Sequence, residues 1–156
     1  MFVRALFAFL ALPGVFAGII PWGLVSLDPW RRQSWTFGVF VLAFGLWGLL
    51  WCVRDFYVSG KGTLAPWDPP KHLVEVGLYR FTRNPMYLSV LMLVGGWGLL
   101  TGSPLLAGYL VALALTFHLR VVLYEERRLS QQFGAEWLRY SAAVPRWAPR
   151  VKPWRG

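Results

Sequence analysis

The chain has 156 residues, of which 56% are hydrophobic and only 15% are charged, and its formal net charge is +9. This composition is too apolar for an ordinary soluble domain, and the apolar residues fall into blocks that are too regular for a disordered chain. The single cysteine, Cys52, lies inside an apolar block, so the sequence offers neither a disulfide framework nor a cysteine metal centre.

Four apolar blocks follow one another along the chain, at residues 5–27, 35–53, 86–100 and 104–124. A transmembrane helix needs roughly 20 apolar residues. We therefore predict an all-α, polytopic membrane protein with about four transmembrane helices. The first block contains Pro13 and Pro21, which predict a kinked helix. Its start is similar to a signal peptide, but the apolar run continues well past the expected cleavage site, so we expect it to be retained.

The basic residues predict the orientation of these helices. Residues 54–85 form a long connection rich in glycine and proline, which carries five Lys or Arg residues. With both termini inside, fourteen of the sixteen basic residues lie on the cytoplasmic side and two lie outside. The positive-inside rule thus predicts cytoplasmic termini and a cytoplasmic connection, in the inner (plasma) membrane of the cell. Topology and anionic lipid account for the charge, so we expect no nucleic-acid partner.

The last two blocks are joined by "TGSP" at residues 101–104, which predicts a tight turn and a helical hairpin. Beyond them, Leu129, Phe133 and Trp137 recur at a spacing of four, which predicts a C-terminal interfacial helix with a bend at Gly134. The tail, residues 144–156, mixes Trp, Arg and Pro and is more typical of a headgroup anchor than of a folded unit. We treat residues 1–156 as one domain: 1–53 anchor it, 54–85 connect, and 86–156 form the hairpin and C-terminal helix.

Polar side chains cluster where the third block begins and where the fourth block ends. The hairpin places both groups at its cytoplasmic end, and ionisable groups at membrane depth are usually functional. They are Tyr79, Arg83, Asn84 and Tyr87 in the first group, and His118, Arg120, Glu125 and Glu126 in the second. Pro85 suits the first turn of a helix, whose free N–H groups favour an anionic group such as a carboxylate. Alternatively, Arg83 and the glutamates only pair at the lipid boundary.

Two segments together resemble the isoprenylcysteine carboxyl methyltransferase and phospholipid methyltransferase family of small integral membrane enzymes. They are "GLYRFTRNPMYLS" at 77–89 and "YEERRLSQQFGAEWLRYSAAVPRW" at 124–147, and the resemblance covers about residues 60–147. It implies S-adenosylmethionine as methyl donor and a lipid or other membrane-embedded acceptor that presents a carboxylate, an amine or a thiol. It implies that Arg83 and Glu126 are catalytic and that the cofactor is bound by Tyr79, Arg83, Asn84, Pro85, Tyr87, Glu125 and Glu126.

The chain departs from the family pattern at three positions. Asn84 stands where the better-known members have histidine, and asparagine forms hydrogen bonds but does not titrate. Leu78 stands where proline is common, and Ser89 where glycine is common. The first of these departures argues against acid–base chemistry at position 84.

Two other functions remain open from the sequence. A membrane enzyme similar to sterol reductases, which use NADPH, would need more phosphate-binding arginines and usually more helices. A non-enzymatic membrane scaffold would need no convergence of polar groups at the hairpin end. The sequence contains no His/Cys metal motif, so we predict that the site holds no metal.

Overall fold

The structure is a computed structural model that describes residues 10–31, 35–60 and 72–155. Within these ranges the regular structure is entirely helical, which confirms the all-α prediction. The start of the first apolar block and the middle of the 54–85 connection, with Lys61 and Lys71, lie outside the described residues.

The helices follow the predicted blocks closely, with small shifts of their ends. Wide, π-type turns at Leu10–Ile19 lead into α1 (Ile20–Leu27), which is followed by α2 (Gly38–Val58) and a 3₁₀ turn at Gly77–Arg80. The remaining elements are α3 (Pro85–Thr101), α4 (Pro104–Arg120), a wide turn at Val121–Glu125, α5 (Glu126–Phe133) and α6 (Ala135–Ala143). Helix α2 continues to Val58 rather than ending at residue 53, so Arg54 and Asp55 are helical and do not begin the connection.

Helices α2 and α3 approach each other closely through small residues. A Cβ atom on Gly45 would lie 3.0 Å from the backbone oxygen of Ser89, and one on Gly96 would lie 2.9 Å from the backbone nitrogen of Leu42. Glycine is therefore required at both positions for the observed separation of the helices. Gly96 lies in the "VGGWG" stretch at residues 94–98, whose small residues allow this close approach.

One hydrophobic core is shared by the first helical segment and by α2, α3 and α4. Leu49 and Val94 are almost completely buried in it, with 1% and 0% of their surface exposed. The buried members come from all four segments and are Ala17, Leu49, Val90, Val94, Leu113 and Phe117. These segments therefore pack as a single unit in which α3 contacts each of its neighbours.

Two helices in the described part of the chain are long and apolar enough to cross a membrane, namely Gly38–Val58 and the continuous helix Pro104–Phe133. The apolar helices Pro13–Leu27 and Pro85–Thr101 are shorter. Large apolar side chains such as Phe40 cover much of the outer surface. Four membrane spans, an inner-membrane location and cytoplasmic termini stay predictions.

The turn of the α3–α4 hairpin is fixed by one backbone conformation and by two side chains. Gly102, with φ of 57°, ends α3 in the left-handed conformation that glycine tolerates best. The hydroxyl of Ser103 caps α4 by accepting a hydrogen bond from the backbone N–H of Leu106 at 3.3 Å. Asp28, which follows α1, accepts hydrogen bonds from the Ser103 hydroxyl and from the N–H of Leu105. The hairpin therefore brings the start of α3 and the end of α4 to its opposite end.

Beyond α4 the helix runs through the wide turn into α5 and bends at Gly134, which has φ of 49°. The predicted bend is thus confirmed. Leu129, Phe133 and Trp137, the stripe at spacing four, pack together with Tyr140 and Val144. This second, smaller core holds α5 and α6 beside the end of the hairpin.

The C-terminal tail folds back along residues 80–84 instead of leaving the protein. The N–H of Arg83 donates to Pro145 O at 2.9 Å, that of Arg150 to Phe81 O at 3.0 Å, and that of Trp154 to Arg80 O at 2.9 Å. The expectation that this tail is an anchor rather than part of the folded unit is therefore wrong for residues 144–155. These backbone hydrogen bonds make the tail a structural part of the hairpin end.

Candidate active site

A half-open pocket of about 100 Å³ lies at the end of the hairpin that is opposite the "TGSP" turn. One wall is polar and contains five of the residues singled out from the sequence: Tyr79, Arg83, Asn84, Tyr87 and Glu125. The other wall is largely apolar and is formed chiefly by Phe56, Leu129, Phe133, Trp137 and Tyr140. The pocket therefore has both polar and apolar side chains in its lining.

Glu126 is held between two arginines at the edge of this pocket. Its Oε1 atom lies 3.1 Å from Nη1 of Arg83. Arg146, in the tail, donates from Nε to Oε1 at 2.7 Å and from Nη2 to Oε2 at 2.8 Å. The three side chains are mostly shielded, with exposures of 13% for Arg83, 19% for Glu126 and 33% for Arg146. One carboxylate thus faces two guanidinium groups, which leaves the group with a net positive charge.

Arg83 is the most buried member of this group and retains an unused donor. Its guanidinium lies over the ring of Trp137, 5.6 Å from the centroid, in a cation–π arrangement. Its Nε atom is buried and has no hydrogen-bond partner among the described residues. Burial lowers the pKa of Arg83, while the charge of Glu126 opposes that shift. An unpaired buried donor is costly, and Arg83 also lines the pocket, so its guanidinium group is the positive charge nearest to a ligand there.

Glu125 has different partners from its neighbour. Its Oε1 atom accepts a hydrogen bond from the Tyr87 hydroxyl and another from Nε of Arg120 at 2.7 Å. The wide turn Val121–Glu125 ends at this residue, and such turns within α-helices are frequent at functional sites. Glu125 therefore belongs to a Tyr–Glu–Arg chain that runs from the pocket wall towards the surface.

Asn84 and Tyr79 lie in the polar wall, whereas Pro85 lies behind it. The Asn84 amide donates to the backbone oxygen of Arg146 at 3.1 Å, and its side chain does not cap α3. Pro85 is buried at the first position of α3 and does not line the pocket. Burial raises the pKa of Tyr79 well above its usual range, so its hydroxyl is neutral. The Tyr140 hydroxyl donates to the backbone oxygen of Tyr79 at 2.7 Å.

His118 and Arg120 are not brought into the pocket. Both are exposed. The Nδ1 atom of His118 accepts a hydrogen bond from Nε1 of Trp147 at 3.1 Å, which ties α4 to the tail. Arg120 does not line the pocket, but its side chain interacts with Glu125 and Tyr87, which do. The structure therefore gives these two residues a supporting position at the rim.

Three residues of the C-terminal segment belong to the site but were not singled out from the sequence: Tyr140, Arg146 and Trp147. Their partners lie roughly 20 to 65 residues away in the chain. The motif "VPRW" lies in the segment that carries the family resemblance. That motif is the one sequence signal that could have drawn attention to Arg146.

The family model for phospholipid methyltransferase matches residues 34–136. The chain belongs to the phospholipid methyltransferase family. The family resemblance inferred from the two segments is thereby confirmed, and the match does not support the alternatives of a sterol-reductase-like enzyme or a scaffold. The match ends before Tyr140 and Arg146, so the tail contributes to the site from outside the matched region.

Two proteins that are similar to this chain in sequence have names that refer to metal resistance. The cobalt-zinc-cadmium resistance protein CzcN of Cupriavidus metallidurans is 28% identical over 121 residues, which are 78% of this chain and 51% of that protein. The nickel-cobalt-cadmium resistance protein NccN of Alcaligenes xylosoxydans xylosoxydans is 28% identical over 129 residues, or 82% of this chain and 56% of the other. The chain spans about half the length of these curated relatives. No solved structure matches the chain.

Side chains that bind metals are not grouped within the described ranges: no three His, Cys, Asp or Glu residues come together there in a way that could hold an ion. The expectation of a metal-free site stays a prediction.

Proposed function

We propose that this protein transfers a methyl group from S-adenosylmethionine to a lipid or another hydrophobic acceptor in the membrane. One observation carries the proposal: residues 83–87 and residues 125–126 meet at a pocket whose remaining wall is apolar. A charged methyl donor and an oily acceptor need such a junction of polar and apolar surfaces. The two segments are also those on which the family resemblance rests.

The residues of the pocket fit the chemical groups of S-adenosylmethionine. The guanidinium group of Arg83 suits a carboxylate, since guanidinium groups bind carboxylates strongly. The ring of Trp137 suits the flat adenine. The pocket volume of about 100 Å³ is below the roughly 300–1,000 Å³ of typical ligand sites, so the pocket would hold only part of the cofactor.

When bound, the cofactor supplies a methyl group on a cationic sulfur, and the methyl carbon bonds to the acceptor atom as its bond to sulfur breaks. The contribution of the chain is to position the reactants and to exclude water. Arg83 orients the cofactor from the polar wall, and Glu126 acts through its contact with Arg83. Phe56, Leu129 and Phe133 provide the apolar surface for the acceptor.

An amine or thiol acceptor must also lose a proton, whereas a carboxylate acceptor does not. Glu125 is the carboxylate that lines the pocket, and its hydrogen bonds to Tyr87 and Arg120 fix its position. A general base must lie within hydrogen-bond reach of the proton that it removes. We therefore assign this role to Glu125 for acceptors of the amine or thiol class.

The direct test is to incubate membranes that contain the protein with methyl-labelled S-adenosylmethionine and to identify the labelled product. We expect a labelled hydrophobic compound that is absent from membranes without the protein and from membranes with Arg83→Ala. Calorimetry with the purified, lipid-embedded protein should detect binding of S-adenosylhomocysteine, the demethylated product. Folded protein that binds neither this compound nor the methyl donor would refute the proposal.

A further inference from the structure

Glu126 is bound more completely by Arg146 than by Arg83. Arg146 uses two nitrogen atoms, at 2.7 and 2.8 Å, and so satisfies both carboxylate oxygens. Arg83 makes a single contact at 3.1 Å, and its buried Nε atom has no partner within the described part of the chain. The bidentate geometry is the stronger of the two arrangements. The negative charge of Glu126 is therefore largely compensated by Arg146, and the positive charge of Arg83 is left over.

Arg146 is held in place by the same segment that forms the polar wall. Its backbone oxygen accepts hydrogen bonds from the Thr82 hydroxyl and the Asn84 amide, both at 3.1 Å. The preceding residue, Pro145, accepts a hydrogen bond from the N–H of Arg83 at 2.9 Å. The contact between Arg146 and Glu126 is thus built into the fold of the site and is not a chance meeting of two surface side chains.

We propose that Arg146 is a positioning residue that neutralises Glu126 and thereby keeps Arg83 available to bind an anionic group in the pocket. The inference rests on the proposed function and adds a residue from outside the family match. The anionic group is a carboxylate or a phosphate. The first would come from the cofactor and the second from the headgroup of a lipid acceptor.

Removal of Arg146 has a definite physical consequence. Glu126 would lose its bidentate partner and would turn its full charge towards Arg83, which lies in contact with it. The two side chains would then form a neutral pair, and Arg83 would no longer attract an anion. Removing the charge of Glu126 as well should cancel this effect, because no carboxylate would remain to occupy Arg83.

The first arm of the test compares two soluble ligands by calorimetry on the full chain in lipid nanodiscs: S-adenosylhomocysteine and its analogue without the carboxylate. We expect the unmodified protein to prefer the carboxylate ligand by about tenfold or more, as for a hydrogen bond between charged groups. Arg146→Ala should reduce this ratio to nearly one. Arg146→Lys, which keeps the charge, should retain most of it, and the double variant Glu126→Gln/Arg146→Ala should restore it. Exposed Arg127→Ala is the matched control and should leave the ratio unchanged.

The second arm uses glycerol 3-phosphate as a soluble probe for a lipid headgroup, with S-adenosylhomocysteine present. If the phosphate is the partner of Arg83, binding of this probe falls in Arg146→Ala and returns in the double variant, while the ligand ratio of the first arm stays constant. Binding of both kinds of probe that is independent of Arg146 would overturn the inference. If the unmodified protein does not bind S-adenosylhomocysteine at all, that result would instead refute the proposed function.

If Arg146→Ala does not fold, the comparison of Glu126→Gln with the double variant still decides the matter. With the carboxylate already neutral, the loss of Arg146 should change neither the ligand ratio nor the phosphate affinity. A loss of anion affinity between these two variants would show that Arg146 binds the anion itself, and the positioning role would be wrong.

Discussion

The contact between Arg83 and Glu126 predicts a specific failure of additivity. Arg83→Ala and Glu126→Gln each remove one charge from a site in which the two side chains are 13% and 19% exposed. A hydrogen bond that involves a charged group contributes about 1.5–3 kcal/mol, so each variant should lose about 10- to 150-fold in methyl transfer. Independent effects would multiply in the double variant to a loss of about 10²- to 10⁴-fold.

The structure predicts less than this product, because Nη1 of Arg83 and Oε1 of Glu126 are 3.1 Å apart and the same interaction is lost in both single variants. Contacting residues show interaction energies of about 0.5–3 kcal/mol. We therefore expect the methyl-transfer activity of the double variant to be within about tenfold of that of the less active single variant. The loss of activity should be clear in every variant while membrane insertion is retained.

The assay is transfer of labelled methyl groups from S-adenosylmethionine in membranes, normalised to the amount of folded protein. Arg127→Ala and Glu136→Gln, which alter exposed residues of the same types, are the matched controls. Fully multiplicative losses would show that the two residues act at separate places. Unchanged turnover per folded molecule, with lower yield alone, would show that they are boundary anchors and would refute the site assignment.

Four further outcomes are expected. Asn84→Ala should reduce methyl transfer less than tenfold, because the amide makes one neutral hydrogen bond worth about 1 kcal/mol; a larger loss would indicate direct contact with a ligand. Gly45→Val should destabilise the protein by about 1–3 kcal/mol in thermal unfolding, since its side chain would meet the α3 backbone, whereas Gly108→Val, with open space around it, should not. Cysteine at Ser59 should be labelled from the cytoplasmic side and cysteine at Trp30 from the outside; labelling of both from one side would contradict the predicted topology. Chelators should leave binding of S-adenosylhomocysteine unchanged, and its loss would contradict the metal-free site.

The helices were predictable because their signals are local. Apolar length located the blocks, the turn residues of "TGSP" located the hairpin, and Gly134 located the bend. The end of α2 was less well predicted, since the apolar block stops at the first charge, Arg54. Asp55 is 4% exposed and therefore lies within the packed part of that helix. A buried charge at a helix end carries no periodic signal in the sequence.

The polar wall was predictable to the extent that its residues lie in motifs. The hairpin alone places residues 83–87 near residues 125–126, because these two segments lie at the same end of two adjacent helices. The sequence did not distinguish which carboxylate meets which cation. In the structure Glu126 meets Arg83 and Arg146, while Glu125 meets Tyr87 and Arg120. The wide turn at Val121–Glu125 lies directly before Glu126, and such turns are rare within α-helices, so the sequence did not lead us to expect one here.

The role of the tail follows from backbone hydrogen bonds, which sequence motifs do not encode. The carbonyl groups of residues 145–147 accept hydrogen bonds from Thr82, Arg83 and Asn84. Tail and polar wall therefore fold as one piece, and the side chains of the wall are oriented before any ligand is bound. Such preorganisation reduces the conformational entropy that binding would otherwise cost. It also explains how Arg146 can be a reliable partner of Glu126 although 20 residues and a bend at Gly134 separate the two along the chain.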